Sequence, residues 1–251
     1  MSAAPPTEQH RLGSRARRLR ASHSYGFVLG LIIASFVFAM TASDDEWAAS
    51  VLLLLYCTTL VTALWTSGRT RPNSRTTVGL VWLAAVAAAA QLVFGGETLA
   101  ALVALFTGVL IGATIVVIAL GVYDQGIVNA QSVQGALCVY VLLGLMFAFF
   151  YGTVAVLGDG DFFAQGTDGD RAVRVYFSFV TLATVGYGDY TAAHDVGRTL
   201  AIVEGLSGQL YLVTVIALLV SRIGFRHPTR ADSRVSDASP QVDDATAGDR
   251  G

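Results

Sequence analysis

Long stretches without Asp, Glu, Arg or Lys alternate with short charged connectors along this chain of 251 residues. A helix needs roughly 20 apolar residues to cross the hydrocarbon core of a bilayer. Six stretches reach that length: 21–43, 47–68, 76–96, 98–123, 133–157 and 199–221, the last interrupted only by Glu204. The pattern therefore predicts an all-α integral membrane protein with six transmembrane helices.

The sign of the charges on the connecting loops predicts how the chain is oriented in the membrane. Arginines collect before the first stretch, between the second and third, and after the sixth, whereas acids fill 44–46 and position 97. Because short basic loops stay cytoplasmic, we expect both termini on the cytoplasmic side of the plasma membrane. We expect 1–24 to be a basic cytoplasmic segment and 225–251 a disordered cytoplasmic tail. Two roles are open for the arginine cluster before the first span: it determines the membrane topology, or it also binds anionic lipid headgroups. The cluster consists of Arg15, Arg17, Arg18 and Arg20.

Composition supports the membrane assignment and excludes other classes. Hydrophobic residues make up 54% of the chain and charged residues 14%, against about 25% charged residues in soluble domains. The net charge of −2 argues against nucleic-acid binding, which needs a surplus of positive charge. Cys57 and Cys138 are too few and too far apart for a disulfide framework or a metal site. No cluster of His, Asp and Glu lies within or beside the predicted spans, so we do not expect an enzyme.

The segment between the last two spans is more than a connecting loop. After an acidic stretch, the chain becomes apolar and aromatic over Arg171–Leu182. Twelve residues form a helix of about 18 Å, too short to cross a membrane. We therefore predict a re-entrant helix that dips into the bilayer, followed directly by the sequence TVGYGD at 184–189.

The glycines of this sequence point to an ion path. Gly186 and Gly188 can adopt backbone angles closed to other residues, so successive carbonyls can point one way. Irregular backbone at membrane depth is tolerated only when it is buried in protein or lines a water-filled path. In this sequence and its context, TLATVGYGD, the chain resembles the potassium channels, whose selectivity-filter signature is TVGYG. The resemblance covers about 133–224, the pore domain of that family.

The resemblance implies roles for individual residues. Thr184, Val185, Gly186 and Tyr187 would coordinate K⁺, which is the permeant ion, and no cofactor is implied. Gly188 would close the outer end of the selectivity filter. One chain contributes one such loop, so the resemblance also implies a homotetramer with a tetrameric pore.

Three further residues concern the support of the filter. Asp189 would anchor the mouth of the filter, and we expect the Tyr176 hydroxyl to bond it. Some bacterial relatives carry a glutamate four residues before the filter threonine that pairs with this aspartate. Val180 stands at that position here, so filter inactivation linked to that glutamate is in doubt.

The last span carries three notable residues. Gly208 falls where such channels often place a gating hinge, or it simply allows close helix packing. Gln209 is expected to face the central cavity below the filter. Glu204 lies about 140° around the helix from Gln209, so we expect it to face the back of the re-entrant helix. A charge at the bilayer centre costs roughly 3 kcal/mol, so Glu204 either tunes conduction with pH or makes a packing hydrogen bond.

The first four spans, 25–123, lack the signature of a voltage sensor. The fourth span contains no Arg, Lys or His, whereas steep voltage gating needs several charges that move through the field. The sequence thus predicts a potassium-selective channel that conducts K⁺ passively and has a non-voltage-sensing first half. A non-selective cation channel on the same scaffold and a non-conducting regulatory subunit remain as alternatives.

Overall fold

The computed structural model describes residues 24–67, 75–124 and 130–224, and these residues form seven α-helices and no strand. The helices are α1 (Ser24–Thr41), α2 (Glu46–Ser67), α3 (Arg75–Phe94), α4 (Glu97–Asp124), α5 (Ala130–Leu157), α6 (Arg171–Leu182) and α7 (Asp195–Gly224). The predicted lipid-binding arginines and the tail at 225–251 lie outside the described residues. The short helix predicted over Arg171–Leu182 is α6, with the same bounds.

Three of the described helices have the length and composition of membrane-spanning elements, and the count of six spans stays a prediction. Among the described residues, three stretches are long and apolar enough to cross a membrane: Glu46–Ser67, Glu97–Tyr123 and Gln131–Leu157. Tyr25–Thr41 and Val81–Phe94 are shorter apolar helices. Their outer surfaces are apolar as well, since Trp82 is 68% exposed and Phe94 is 82% exposed, which suits contact with lipid tails. The chain is therefore a helical membrane protein.

Helix α5 is the element around which the others pack. It lies against α4 along most of its length and also contacts α1, α6 and α7. A buried cluster of side chains from α1, α2, α4, α5 and α6 surrounds its middle, including Ile32, Tyr56, Ile111 and Leu142. A second buried cluster joins α2, α3 and α4. Helices α1 to α4 therefore form one bundle that packs against α5, and α1 also contacts α6.

The connection between α1 and α2 also holds the start of α6. Asp44 in that connection pairs with Arg171 at 3.2 Å and with Arg174 at 3.3 Å. The Arg171 backbone N–H donates to the same carboxylate at 3.1 Å. Asp170 caps the helix, since its Oδ1 accepts from the Val173 N–H at 2.8 Å, which satisfies a backbone group left free in the first turn. The first residues of α6 are thus held by two acidic side chains.

The other end of α6 packs closely against α7. Gly208 of α7 is buried, and a Cβ built on it would lie 2.7 Å from the carbonyl oxygen of Leu182, the last residue of α6. A Cβ on Gly205, one turn earlier, would lie at an ordinary 3.8 Å from the Thr181 carbonyl oxygen. Close packing is therefore a sufficient reason for the glycine at 208, and the hinge role of Gly208 stays a prediction.

This difference makes the two glycines a matched pair for mutation. Gly208→Ala pushes a methyl group into the end of α6 and should destabilise the protein by about 1–3 kcal/mol. Gly205→Ala meets no close atom, so the higher helix propensity of alanine should leave stability unchanged or raise it by up to about 1 kcal/mol. Thermal unfolding of the two purified variants in detergent checks this expectation. Equal unfolding temperatures would contradict the close approach at Gly208.

Candidate functional site

The segment between α6 and α7 has a backbone that alternates in handedness. Thr184, Gly186 and Gly188 have φ values of 55°, 55° and 78°, whereas no such positive φ occurs at Val185 or Tyr187. In an extended strand, successive carbonyls point to opposite sides. Reversing the handedness at every second residue turns them toward the same side, and glycine accepts this at little cost. The segment therefore has a conformation in which its carbonyls can line one path.

Thr184 is the residue of this segment for which that conformation is strained. A β-branched side chain with positive φ is an outlier, because its Cβ is crowded by the backbone. Such strain costs of order 1–3 kcal/mol and persists only where the surrounding structure holds it. Here, the Thr184 N–H donates to the Thr181 carbonyl at 2.9 Å.

Hydrogen bonds from the segment to the end of α6 continue beyond Thr184. The N–H groups of Val185 and Gly186 both donate to the Val180 carbonyl, at 2.9 Å and 3.3 Å. The last carbonyls of a helix have no partner within the helix, and these N–H groups supply one. The main chain of Val180 thus anchors the inner half of the segment, while its side chain cannot form the acidic pair discussed above.

The outer end of the segment is held by a side chain of α6. The Tyr176 hydroxyl donates to Asp189 Oδ2 at 2.7 Å, which is the bond expected from the sequence. This hydrogen bond, together with the negative charge of Asp189, raises the pKa of Tyr176 to about 12, so the phenol keeps its proton at neutral pH. The Tyr176 ring lies against Tyr190, which in turn contacts Phe163 in a buried aromatic cluster.

The inner end of the segment is reached from α7. Gln209 Nε2 donates to Thr184 Oγ1 at 3.4 Å, a long hydrogen bond. The neighbouring Gly208 contacts the end of α6, as described above. These contacts place Gln209 beside the first residue of the segment, and a role for its amide in a central cavity stays a prediction.

Glu204 lies behind the segment and is fully buried. Its carboxylate accepts from the Tyr151 hydroxyl of α5 and from the Ser178 hydroxyl of α6. The Ser178 hydroxyl also lies 2.6 Å from the Gly144 carbonyl of α5. Glu204 therefore faces the back of α6, and the three helices α5, α6 and α7 meet at its carboxyl group.

The Ser178 hydroxyl lies between two oxygen atoms from different helices. Ser178 has one hydroxyl proton but lies within hydrogen-bond distance of two acceptors, the Gly144 carbonyl and the Glu204 carboxylate. Ser178 is thus shared between α5 and α7.

Sequence reasoning missed the partners of Glu204. Tyr151 and Ser178 lie 53 and 26 residues away from it in the chain. The available signal was a hydroxyl-bearing residue inside each of two apolar helices, Tyr151 and Ser178. Both side chains are fully buried in the structure. A buried hydroxyl group needs a hydrogen-bond acceptor. Glu204, the ionisable residue within the spans, could have been named as that acceptor.

The side chains of the segment are open in a single chain. Val185 is 50% exposed and Tyr187 is 71% exposed. A Cβ built on Gly186 or Gly188 would meet no described atom within 4 Å. The residues described contain no cluster of three or more His, Cys, Asp and Glu side chains that could hold a metal ion.

Comparison with known proteins bears on this part of the chain. Residues 139–224, about a third of the chain, match the family model described as an ion channel. No curated protein and no solved structure matches the chain. The match begins in α5 and runs through α6 and the segment 183–194 to the end of α7. This portion, which contains every contact described above around Thr184–Asp189, is therefore similar to the ion-channel family.

Proposed function

We propose that the protein is a potassium-selective channel that lets K⁺ pass down its electrochemical gradient. The observation that carries the proposal is the alternating backbone of Thr184–Gly188 directly after a short helix in an ion-channel domain. Rings of carbonyl oxygens can replace the hydration shell of K⁺. Thr184, Val185, Gly186 and Tyr187 supply these oxygens, and Gly188 ends the row.

The proposed topology follows from helix length and connector charge. Helices α1 to α5 and α7 cross the plasma membrane, and α6 enters and leaves on the outer side. Both termini are then cytoplasmic, where the arginine-rich connectors lie. The C-terminal end of α6 carries the negative end of its dipole, which favours a cation next to it.

Four copies around one axis complete the ion path. A single chain contributes one row of oxygens, and a closed ring of identical chains has cyclic symmetry. The apolar side chains that a tetramer would cover are exposed in the single chain, with Val185 at 50% and Tyr187 at 71%. Leu206, Leu210 and Val213 on α7 are also exposed and would contact neighbouring copies or lipid.

Ion flux into liposomes tests this function directly. Purified protein in vesicles should admit K⁺ and exclude Na⁺, and Ba²⁺ should block the flux. Gly186→Ala should abolish K⁺ flux, because an L-residue at this φ costs about 1–2 kcal/mol and tends to rotate the carbonyl out of line. Gly30→Ala is the matched control, since a Cβ there meets no described atom and its φ is helical.

The outcomes distinguish the alternatives. Equal entry of Na⁺ and K⁺ would replace the proposal by a non-selective cation channel. Absence of flux in the wild type under all conditions would favour a regulatory subunit.

The hydrogen bond between Tyr176 and Asp189 predicts a second effect. Tyr176→Phe keeps the ring but removes the donor, so the outer end of the segment should loosen and the K⁺ over Na⁺ preference should fall about tenfold for a loss of about 1.4 kcal/mol. Tyr190→Phe is the control, because it removes a hydroxyl from the neighbouring ring and leaves the bond to Asp189 intact. Selectivity measured from reversal potentials checks the pair. An unchanged selectivity in Tyr176→Phe would exclude a bracing role for this hydroxyl.

Glu204 is proposed to support the back of α6 as the neutral acid. The groups that face it are the hydroxyls of Tyr151 on α5 and Ser178 on α6, and neither carries a charge that could compensate an ionised carboxylate. If Glu204 lost its proton, the Ser178 hydroxyl could donate to only one of its two neighbours, the Gly144 carbonyl or the Glu204 carboxylate, and the other contact would have no hydrogen bond. Conduction should then decline as the pH rises from mildly acidic to alkaline.

Glu204→Gln tests this dependence. The amide donates to Ser178 and accepts from Tyr151 as the neutral acid does, so K⁺ flux should match that of the wild type at acidic pH. It should then stay level as the pH rises, whereas wild-type flux falls. Flux profiles against pH in liposomes, with Asp161→Asn as a control for exposed acids on the outer connector, give the measurement. Identical profiles for Glu204→Gln and the wild type would reduce Glu204 to a packing contact.

A further inference from the structure

The loop between α5 and α6 pairs with the loop that connects the segment to α7. The Ala164 N–H donates to the Thr191 carbonyl at 2.8 Å, and the Ala193 N–H donates to the Phe162 carbonyl at 2.9 Å. These two main-chain bonds form the loop pairing. They join the chain just before α6 to the chain just after the segment, so the two ends of this portion are fixed to each other.

The loop that precedes α6 is closed by hydrogen bonds of its own. The Phe163 N–H donates to the Thr167 carbonyl at 3.0 Å, and the Gly166 N–H donates to the Phe163 carbonyl at 3.0 Å. Gly169, with a φ of 62°, lets the Phe163 ring come close, since a Cβ there would lie 2.8 Å from a ring carbon. Regions with many internal contacts open less often than other regions, so this loop can hold its partner in place.

The Phe163 side chain connects the loop pairing to the acid at the end of the segment. Phe163 is 1% exposed, and its ring centroid lies 5.1 Å from that of Tyr190 in an edge-to-face contact. The Tyr190 ring lies 6.3 Å from that of Tyr176, whose hydroxyl donates to Asp189. Edge-to-face rings at such distances attract each other beyond the effect of the apolar area that they bury. A continuous row of contacts therefore runs from Phe163 to Asp189.

We propose that Phe163 is a positioning residue for ion selectivity, which acts by holding the loop after the segment through Tyr190. This rests on the proposed function, since it concerns the K⁺ preference of the same segment. The groups of a binding site need packing and hydrogen bonds that hold them within about 0.5 Å of their places. Bonds to α6 hold the inner half of the segment, and the rings that begin at Phe163 hold its outer end.

Phe163→Leu tests the proposal, with Phe147→Leu as its matched control. Both phenylalanines are buried in one cluster, but the ring contacts of Phe147 are with Phe150 and Tyr151 of α5. Because both changes remove the same atoms from a buried site, the unfolding temperature in detergent should fall in both. The K⁺ over Na⁺ preference, from reversal potentials in planar bilayers, should fall about tenfold in Phe163→Leu and stay unchanged in Phe147→Leu.

Combination with Tyr176→Phe shows whether Phe163 acts through Tyr176. If the rings act on the hydroxyl that binds Asp189, the double variant should lose no more selectivity than Tyr176→Phe alone, to within about twofold. Independent effects of about tenfold each would instead multiply to a loss of about a hundredfold. A merely structural role of Phe163 predicts this second result.

Hydrogen exchange of the protein in lipid nanodiscs tests the loop pairing without any ion flux. The N–H groups of Ala164 and Ala193 donate the two bonds of the pairing. They should exchange at least about tenfold faster in Phe163→Leu than in the wild type, because the loop opens more often without the ring. In Phe147→Leu, their exchange should match that of the wild type.

Three results would overturn the proposal. These are equal selectivity in Phe163→Leu and Phe147→Leu, unchanged exchange of Ala164 and Ala193 in Phe163→Leu, or a multiplied loss in the double variant. A wild type without any K⁺ preference would overturn the proposed function, and the role in selectivity with it. The exchange measurement would still show in that case whether Phe163 holds the loop pairing.

Discussion

Backbone groups that are shielded from water need hydrogen-bond partners, and the structure around Thr184–Asp189 depends on how this need is met. An unsatisfied peptide group away from water costs several kcal/mol. The last carbonyls of α6 and the first N–H groups of the segment are both unpartnered within their own elements, and they bond to each other. This exchange engages the N–H groups of Thr184, Val185 and Gly186 and thereby joins the segment to the end of α6.

The position of α6 is determined by contacts at both of its ends and along its back. Asp44 and Asp170 hold the first turn, and the close approach of Gly208 fixes the last. Between them, Ser178 bonds to both α5 and α7 through Gly144 and Glu204. A short helix has little stability of its own, because it has few internal hydrogen bonds to offset the cost of nucleation. Its placement must therefore come from these contacts, which lie on α5, on α7 and in the connections before α2 and α6.

Much of this arrangement could be predicted from local sequence. The bounds of α6 follow from a run of apolar residues too short to span a bilayer, and the direction of Glu204 follows from its angle to Gln209 on one helix. The positive φ of Gly186 and Gly188 follows from the absence of a side chain. The positive φ of Thr184 was not foreseen, because a β-branched residue avoids positive φ unless the surrounding structure imposes it.

Contacts between distant parts of the chain were beyond local reasoning. The partners of Glu204 are brought together by the packing of α5 against α6 and α7, which no periodicity encodes. Gln91 was counted as one residue of an apolar stretch, and only the fold reveals that it is buried beside a cavity with its oxygen unpartnered. Hydropathy records how apolar a segment is on average and cannot report what one polar atom within it faces.

The single carboxylate of Asp44 has a consequence for how such a protein can diversify. It lies in a connection of four residues and is the ionic link, among the described residues, between the first bundle and α6. A short connection is easily changed in length or composition, whereas the core of α5 is not. The ionic contact between this connection and α6 can therefore be altered by changing a few residues, with every helix left in place.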